Sequence, residues 1–195
     1  MKGFDRTEQR KNRLRRVLAE RQPDLTLVLA NIHDPHNVSA IYRSADAFGV
    51  SCVHLYYTDT AFPHLSEKTS ASARKWVDTV RHGSCADLSL ALAGYQILAT
   101  SFLPEAKSYR SYDLTKPTAF LMGNEHQGLA PELMALATGL VIIPMHGMIQ
   151  SLNVSVAAAL LLGEAARQRE EAGLYAQPRY PQDVFEERYR AWLEK

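Results

Sequence analysis

Cysteine is scarce in this 195-residue sequence: Cys52 and Cys85 are the whole supply. They make no short-spacing pair with each other or with a histidine, which argues against a zinc ribbon and a disulfide framework. No run approaches the ~18 consecutive apolar residues of a membrane span. The most apolar stretch, Val154 to Leu162, is far shorter. The N-terminus is charged from Lys2 onward and leads into no clean apolar signal segment, so a cytoplasmic protein with no membrane partner is expected. Gly-x-Gly-x-x-Gly is absent, as is the Gly-Lys-Ser/Thr of a phosphate loop, which disfavours a nucleotide-binding metabolic enzyme. Internal repeats are also missing. What remains is ordinary globular material, 46% hydrophobic and 22% charged. A chain this long buries roughly 70% of its unfolded surface, enough for a core without staples.

The net charge of +1 conceals an asymmetry. Residues 1–22 hold eight Lys or Arg against three acidic residues, and the remainder holds fourteen against eighteen. A basic arm on a mildly acidic body suggests a polyanion partner; a solubilising helix is the plain alternative.

Apolar spacing divides the chain into a basic helical arm (1–24), a main domain (25–173) and a C-terminal linker and helix (174–195). In the arm, Leu14, Val17 and Leu18 share one helical face. Strands are expected at Leu25–Ala30, Val50–Tyr57, Gln96–Thr100, Thr118–Met122 and Leu140–Ile143. Helices are expected at Asn37–Phe48, Ser84–Leu92, Pro131–Ala137, Asn153–Ala172 and Gln182–Lys195. Thr58 to Arg81 reads as one long loop with a helical turn. This alternation predicts an α/β fold, a mostly parallel sheet with helices on both faces. In such folds ligands bind beyond the carboxyl ends of the strands.

Three loops at that edge are unusual. The first runs Asn31-Ile32-His33-Asp34-Pro35-His36-Asn37-Val38-Ser39-Ala40-Ile41-Tyr42-Arg43. Asn37 stands where a helix N-cap is expected. An arginine among Ile41, Ala45 and Ala47 needs a partner if that helix is buried; a surface salt bridge is the plain reading. Neither histidine has metal-ligand spacing with a third donor. The second loop, Gly123-Asn124-Glu125-His126-Gln127-Gly128, brackets one carboxylate between glycines, which allow positive φ or close backbone approach. The third, from Ile142 to Asn153, is apolar with two methionines, then enters a helix of small residues through Ser151-Leu152-Asn153. Ser151 or Asn153 could cap that helix, and an apolar slot with backbone donors suits an adenine ring.

Together the segments NIHDPHNVSAIYR, GNEHQG and IPMHGMIQSLNVSVAAA resemble, in the right order, the three signature motifs of the SpoU branch of the SPOUT RNA methyltransferases. The resemblance covers about residues 25–172. Within the branch the chain is most similar to the tRNA guanosine-18 2′-O-methyltransferases, through its short basic helix, the Tyr112-Asp113 approach to the Thr118 strand and Arg167-Gln168-Arg169. The resemblance implies a deep trefoil knot in the C-terminal part, which general topology rules would not propose. It also implies a homodimer with its site near the subunit boundary, and S-adenosylmethionine as methyl donor. Thr100, Gly123, Ile143, Met145, Ser151 and Leu152 match cofactor-binding positions. Arg43 matches the catalytic arginine, and Asn37, Glu125 and Asn153 match the residues that support it.

Methyl transfer to a ribose 2′-hydroxyl requires oxygen, methyl carbon and sulfur in line, and positioning alone supplies up to ~7–11 kcal/mol. The 2′-hydroxyl distinguishes RNA from DNA, so RNA, not DNA, is the expected substrate. Arginine is a poor base at its usual pKa above ~12. Arg43 either loses its proton beside a substrate phosphate or stays charged and stabilises the developing alkoxide, which the pKa favours. The arm residues Arg6, Arg10, Lys11, Arg13, Arg15 and Arg16, with Arg167 and Arg169, would then hold tRNA phosphates. A ribosomal-RNA or wobble-position methyltransferase and a non-catalytic RNA-binding protein are the alternatives. The ribosomal-RNA reading is disfavoured by the short segment ahead of the main domain.

Overall fold

A computed structural model describes residues 2–58, 61–63, 73–124 and 127–195, with side chains from residue 7 onward. The chain runs through α1 (Lys2–Ala19), β1 (Gln22–Ala30), α2 (Pro35–Ala47), β2 (Val50–Tyr56), β3 (Asp78–His82), α3 (Cys85–Ala91) and β4 (Gln96–Thr100). It continues through β5 (Lys107–Ser108), a 3₁₀ turn (Tyr109–Ser111), β6 (Thr118–Met122), α4 (Pro131–Met134), β7 (Gly139–Ile142), α5 (Val154–Glu171) and α6 (Gln182–Leu193). Among the described residues the strands form one sheet in the order β3-β2-β1-β6-β4-β7-β5, and every strand pairing is parallel.

Both faces of the sheet are covered, and the pleat shows how. Leu25, Leu27 and Leu29 of β1, with Phe120 and Met122 of β6, pack with Ile41 of α2 and with Ala158, Leu161 and Leu162 of α5. The alternate residues Val28, Ala119, Leu121, Ile97 and Ala99 pack with Leu88 of α3 and with Leu133. A two-residue side-chain period turns one buried strand into two cores, so these strands read as continuous apolar runs.

The structure departs from the sequence expectations in five places. Asp34, not Asn37, caps α2, accepting the His36 N–H at 2.8 Å. Pro35 takes the first helical position, where its missing N–H costs nothing. The helix begun at Pro131 ends at Met134 after a single turn. The expected loop Thr58–Arg81 contains β3; only one apolar residue, Val80, marks that edge strand. Residues 59–60 and 64–72 of the same stretch lie outside the described residues. The short β5 and its 3₁₀ turn carry no periodic signal. β1 begins at Gln22, so the end of the expected arm belongs to the sheet.

At the amino edge of the sheet, α1 and α6 pack as a pair. Leu14 and Leu18 bury against Phe185 and Trp192, and Trp76 meets Trp192 edge-on at 5.1 Å. Arg15 holds Glu186 with two 2.9 Å hydrogen bonds. Gly49 ends the turn between α2 and β2 at φ +77°, and a Cβ there would stand 2.9 Å from the Glu20 carbonyl oxygen. Only glycine meets both conditions.

Candidate active site

Beyond the carboxyl ends of β4, β6 and β7 lies a cavity of about 510 Å³. Its walls come from Thr100–Leu103, Met122–Asn124, Gly128–Leu129, Met134, Val141–Ile143, Met145, Ser151–Val154, Ala157 and Leu161. Its size lies in the range of small-molecule sites. All six residues matched to cofactor binding, Thr100, Gly123, Ile143, Met145, Ser151 and Leu152, line it. Among the described residues the walls are mostly apolar and carry no Asp, Glu, Lys, Arg or His. Such a cavity can hold and orient a ligand.

Local chemistry builds each wall. The second loop closes on itself through Asn124 N–H to the Gly128 carbonyl (3.0 Å) and Gly128 N–H to the Asn124 carbonyl (2.9 Å). A Cβ on Gly123 would sit 2.4 Å from the Gly128 carbonyl carbon, so this close approach excludes any side chain there. Asn124 Nδ2 donates to the Asn31 carbonyl at 2.7 Å and lies 3.4 Å from both ring nitrogens of His33. Thr100 Oγ1 donates to the Leu121 carbonyl at 3.1 Å, leaving its methyl group for the wall.

The third segment enters α5 through Asn153, whose Oδ1 accepts the Ser155 N–H at 2.8 Å as an N-cap. Its Nδ2 donates to Asn37 Oδ1 at 2.9 Å. The first and third segments, 116 residues apart in sequence, therefore meet through two asparagine side chains at the cavity rim.

Arg43 is exposed and does not line the cavity. Six residues separate it from Asn37, so the two lie on different sides of α2. Arg43 shares an outward stripe with His36, Ala40 and Ala47, and among the described residues no ion pair holds it. Glu125 and His126 lie outside the described residues.

The basic candidates divide. Arg10, Arg13 and Arg16 are exposed and carry no ion pair among the described residues. The Arg6 side chain lies outside the description. Lys11 pairs with Glu8, Arg15 with Glu186, and Arg167 with both Glu164 and Glu171. Arg169 must be corrected. It is fully buried, and its guanidinium donates to Gln22, to Asp24 and to the carbonyls of Leu114 and Lys116. A buried cation with its donors taken ties β1 to α5 and cannot meet a phosphate.

Sequence reasoning missed Phe102, Leu103 and Asn124 as cavity residues. Phe102 and Leu103 directly follow the strand end at Thr100, the one signal that could have found them.

A model of the SpoU rRNA methylase family matches residues 24–163. A Thermus thermophilus protein named tRNA (guanosine(18)-2′-O)-methyltransferase is 45% identical over 193 residues, covering 98% of this chain and 99% of that protein. The crystal structure of the A. aeolicus TrmH/SpoU tRNA modifying enzyme superposes with a TM-score of 0.89 at 38% identity, over 96% of each chain. An AdoMet-bound rRNA methyltransferase from Sinorhizobium meliloti superposes at 0.61 with 30% identity, over 78% of this chain and 59% of that one.

Proposed function

This chain belongs to the SpoU methylase family, and from that premise we propose that it transfers a methyl group from S-adenosylmethionine to the ribose 2′-oxygen of guanosine 18 in tRNA, acting in the cytoplasm. The observation that carries this reading is the cavity at the carboxyl edge, where all three motif segments meet and Asn153 is bonded to Asn37. The cavity suits the cofactor. Its apolar walls fit a purine ring, and the close pass of Gly123 against Gly128 brings backbone, rather than side chains, to the ligand.

The cofactor supplies an electrophilic sulfonium methyl group. The chain holds and orients what surrounds it. Ile143, Met145 and Leu152 wall the cavity, and Asn37 with Asn153 fixes the rim against which the ribose is set. Arg43 remains a guanidinium and stabilises the alkoxide that develops on the 2′-oxygen, while water or a substrate phosphate takes the proton.

The segment Ile143–Leu152 is tied into a deep trefoil knot. Support comes from the chain path: β7 lies outside β4 in the sheet, yet the segment after it returns across the edge to Asn37. The enzyme is a homodimer. On α5, Val156 and Leu160 are exposed in one stripe with Ala159 and Gly163, an apolar face that solvent does not favour. The outward stripe of α2 carrying Arg43 lies on the neighbouring helix. A second copy seated there brings Arg43 to the subunit boundary. The exposed cations of α1 hold tRNA phosphates, positioning the RNA without reading its sequence.

The test is direct. Incubation with methyl-labelled S-adenosylmethionine and unmodified tRNA, followed by digestion and mapping, places the label on the ribose of guanosine 18. Label at another nucleotide, or label taken up only by ribosomal RNA, overturns the assignment.

A further inference from the structure

At the carboxyl end of β1, Asn31 holds φ +49°, and among the described residues it is the only non-glycine in the left-handed region. Side chains are rarely kept there, because the Cβ crowds the following carbonyl; such outliers persist where the surroundings over-determine them. Here the surroundings are specific. The Asn31 N–H donates to the Tyr56 carbonyl at 3.0 Å, continuing the β1–β2 ladder past its end. Its Oδ1 accepts the Thr58 N–H at 3.1 Å. Its carbonyl, turned by the unusual φ, accepts Asn124 Nδ2 at 2.7 Å in a buried bond. Asn124 lines the cavity, and its Oδ1 accepts the Gln127 N–H at 3.2 Å. One residue outside the cavity thus ties the chain after β2 to the loop that forms the cavity wall.

We infer that Asn31 is a positioning residue for the cofactor, acting through Asn124 to hold the Gly123-Asn124 and Gln127-Gly128 backbone against the cavity. The inference rests on the cavity being the S-adenosylmethionine site. The backbone turn at Asn31 is the operative element, since it aims the carbonyl that Asn124 reads. The ribose-facing rim at Asn37 and Asn153 and the cations of α1 are built by other contacts and do not depend on it.

The experiment titrates S-adenosylhomocysteine by calorimetry into the parent protein and into Asn31→Ala, Asn31→Gly and Asn124→Ala, with tRNA affinity measured in parallel. Asn31→Ala, which is strained at positive φ, weakens the ligand about tenfold or more. Asn124→Ala, which leaves the turn alone, weakens it comparably. Asn31→Gly, which adopts the turn freely, recovers most of the loss. All three keep the parent's tRNA affinity within about twofold. Parent-like ligand affinity in Asn31→Ala overturns the inference, as does a glycine variant no better than alanine. If Asn31→Ala fails to fold, parent-like affinity in Asn124→Ala overturns it instead. A parent protein that gives no binding heat would contradict the cofactor reading itself, a separate result.

Discussion

The two edges of the sheet use polar groups in opposite ways. At the amino edge, the buried cations are consumed by the fold. Arg169 is closed within β1, α5 and the loop before β6; Arg21 pairs with Asp46 and donates to the Val50 carbonyl; Arg188 and Arg179 pair with Asp78 and Asp24. At the carboxyl edge, the cavity wall holds no charge among the described residues, and Arg43 lies exposed on the outward stripe of α2. The buried cations near the strands' beginnings are therefore structural, whereas Arg10, Arg13 and Arg16 of α1 and Arg43 of α2 are exposed and carry no ion pair among the described residues. A motif containing an arginine does not say which kind it is; its burial and its partners do.

The sharpest way to break that contrast is to exchange one arginine from each edge. Arg169→Ala takes the fully buried cation from Asp24, which keeps only Arg179, strips several carbonyls of their donor, and costs about 3–5 kcal/mol of stability in urea unfolding. Cofactor affinity per folded molecule stays unchanged. Arg43→Ala does the reverse: single-turnover methylation falls by about 10²-fold or more, with unfolding and cofactor affinity as in the parent. A stable Arg169→Ala protein or a fast Arg43→Ala protein would erase the distinction.

A buried histidine pair provides a pH test of the sheet between these edges. His54 Nδ1 and His82 Nε2 lie 2.7 Å apart across β2 and β3, with stacked rings. Burial, then the neighbouring His82, pushes His54 down to about 4. The unfolded chain binds this proton near the ordinary value of about 6.5, so stability is full above that pH and falls as the pH drops toward 4. Urea unfolding at pH 7 and pH 5 differs by about 2 kcal/mol from this group alone. His54→Gln removes that difference. A parent protein equally stable at both pH values would mean that the pair takes up protons in the folded state.

The smallest expected change concerns the arm. Replacing Arg10, Arg13 and Arg16 by alanine reduces the salt dependence of tRNA binding, the slope of log affinity against log salt, by about 2–3. Cofactor binding is untouched. An unchanged slope would assign α1 to the fold alone, alongside Arg15.

Much of this was legible in the sequence, for identifiable reasons. The central strands are largely apolar because both faces are buried, and they were located to within a few residues. The six positions matched to cofactor binding followed from motif resemblance, and all of them line one cavity. β3 was missed because Asp78-Thr-Val-Arg-His82 is an edge strand with few buried side chains. The Asn37 cap was misassigned because Asp34 and Asn37 are both good caps, and only the helical path from Pro35 selects between them. Arg169 was misread because local sequence does not show that Asp24, 145 residues away, lies 2.6 Å from its guanidinium. The Asn31 turn left no signal, since nothing in the residue type demands positive φ.

The central claim is that the cavity beyond β4, β6 and β7 receives the methyl donor. Calorimetric titration of S-adenosylmethionine into the parent and into Gly123→Ala tests it most directly, because a Cβ at that position would collide with the Gly128 backbone. The account predicts one saturable site per chain in the parent and loss of binding in a variant that still melts cooperatively. Equal binding by the two proteins would contradict it.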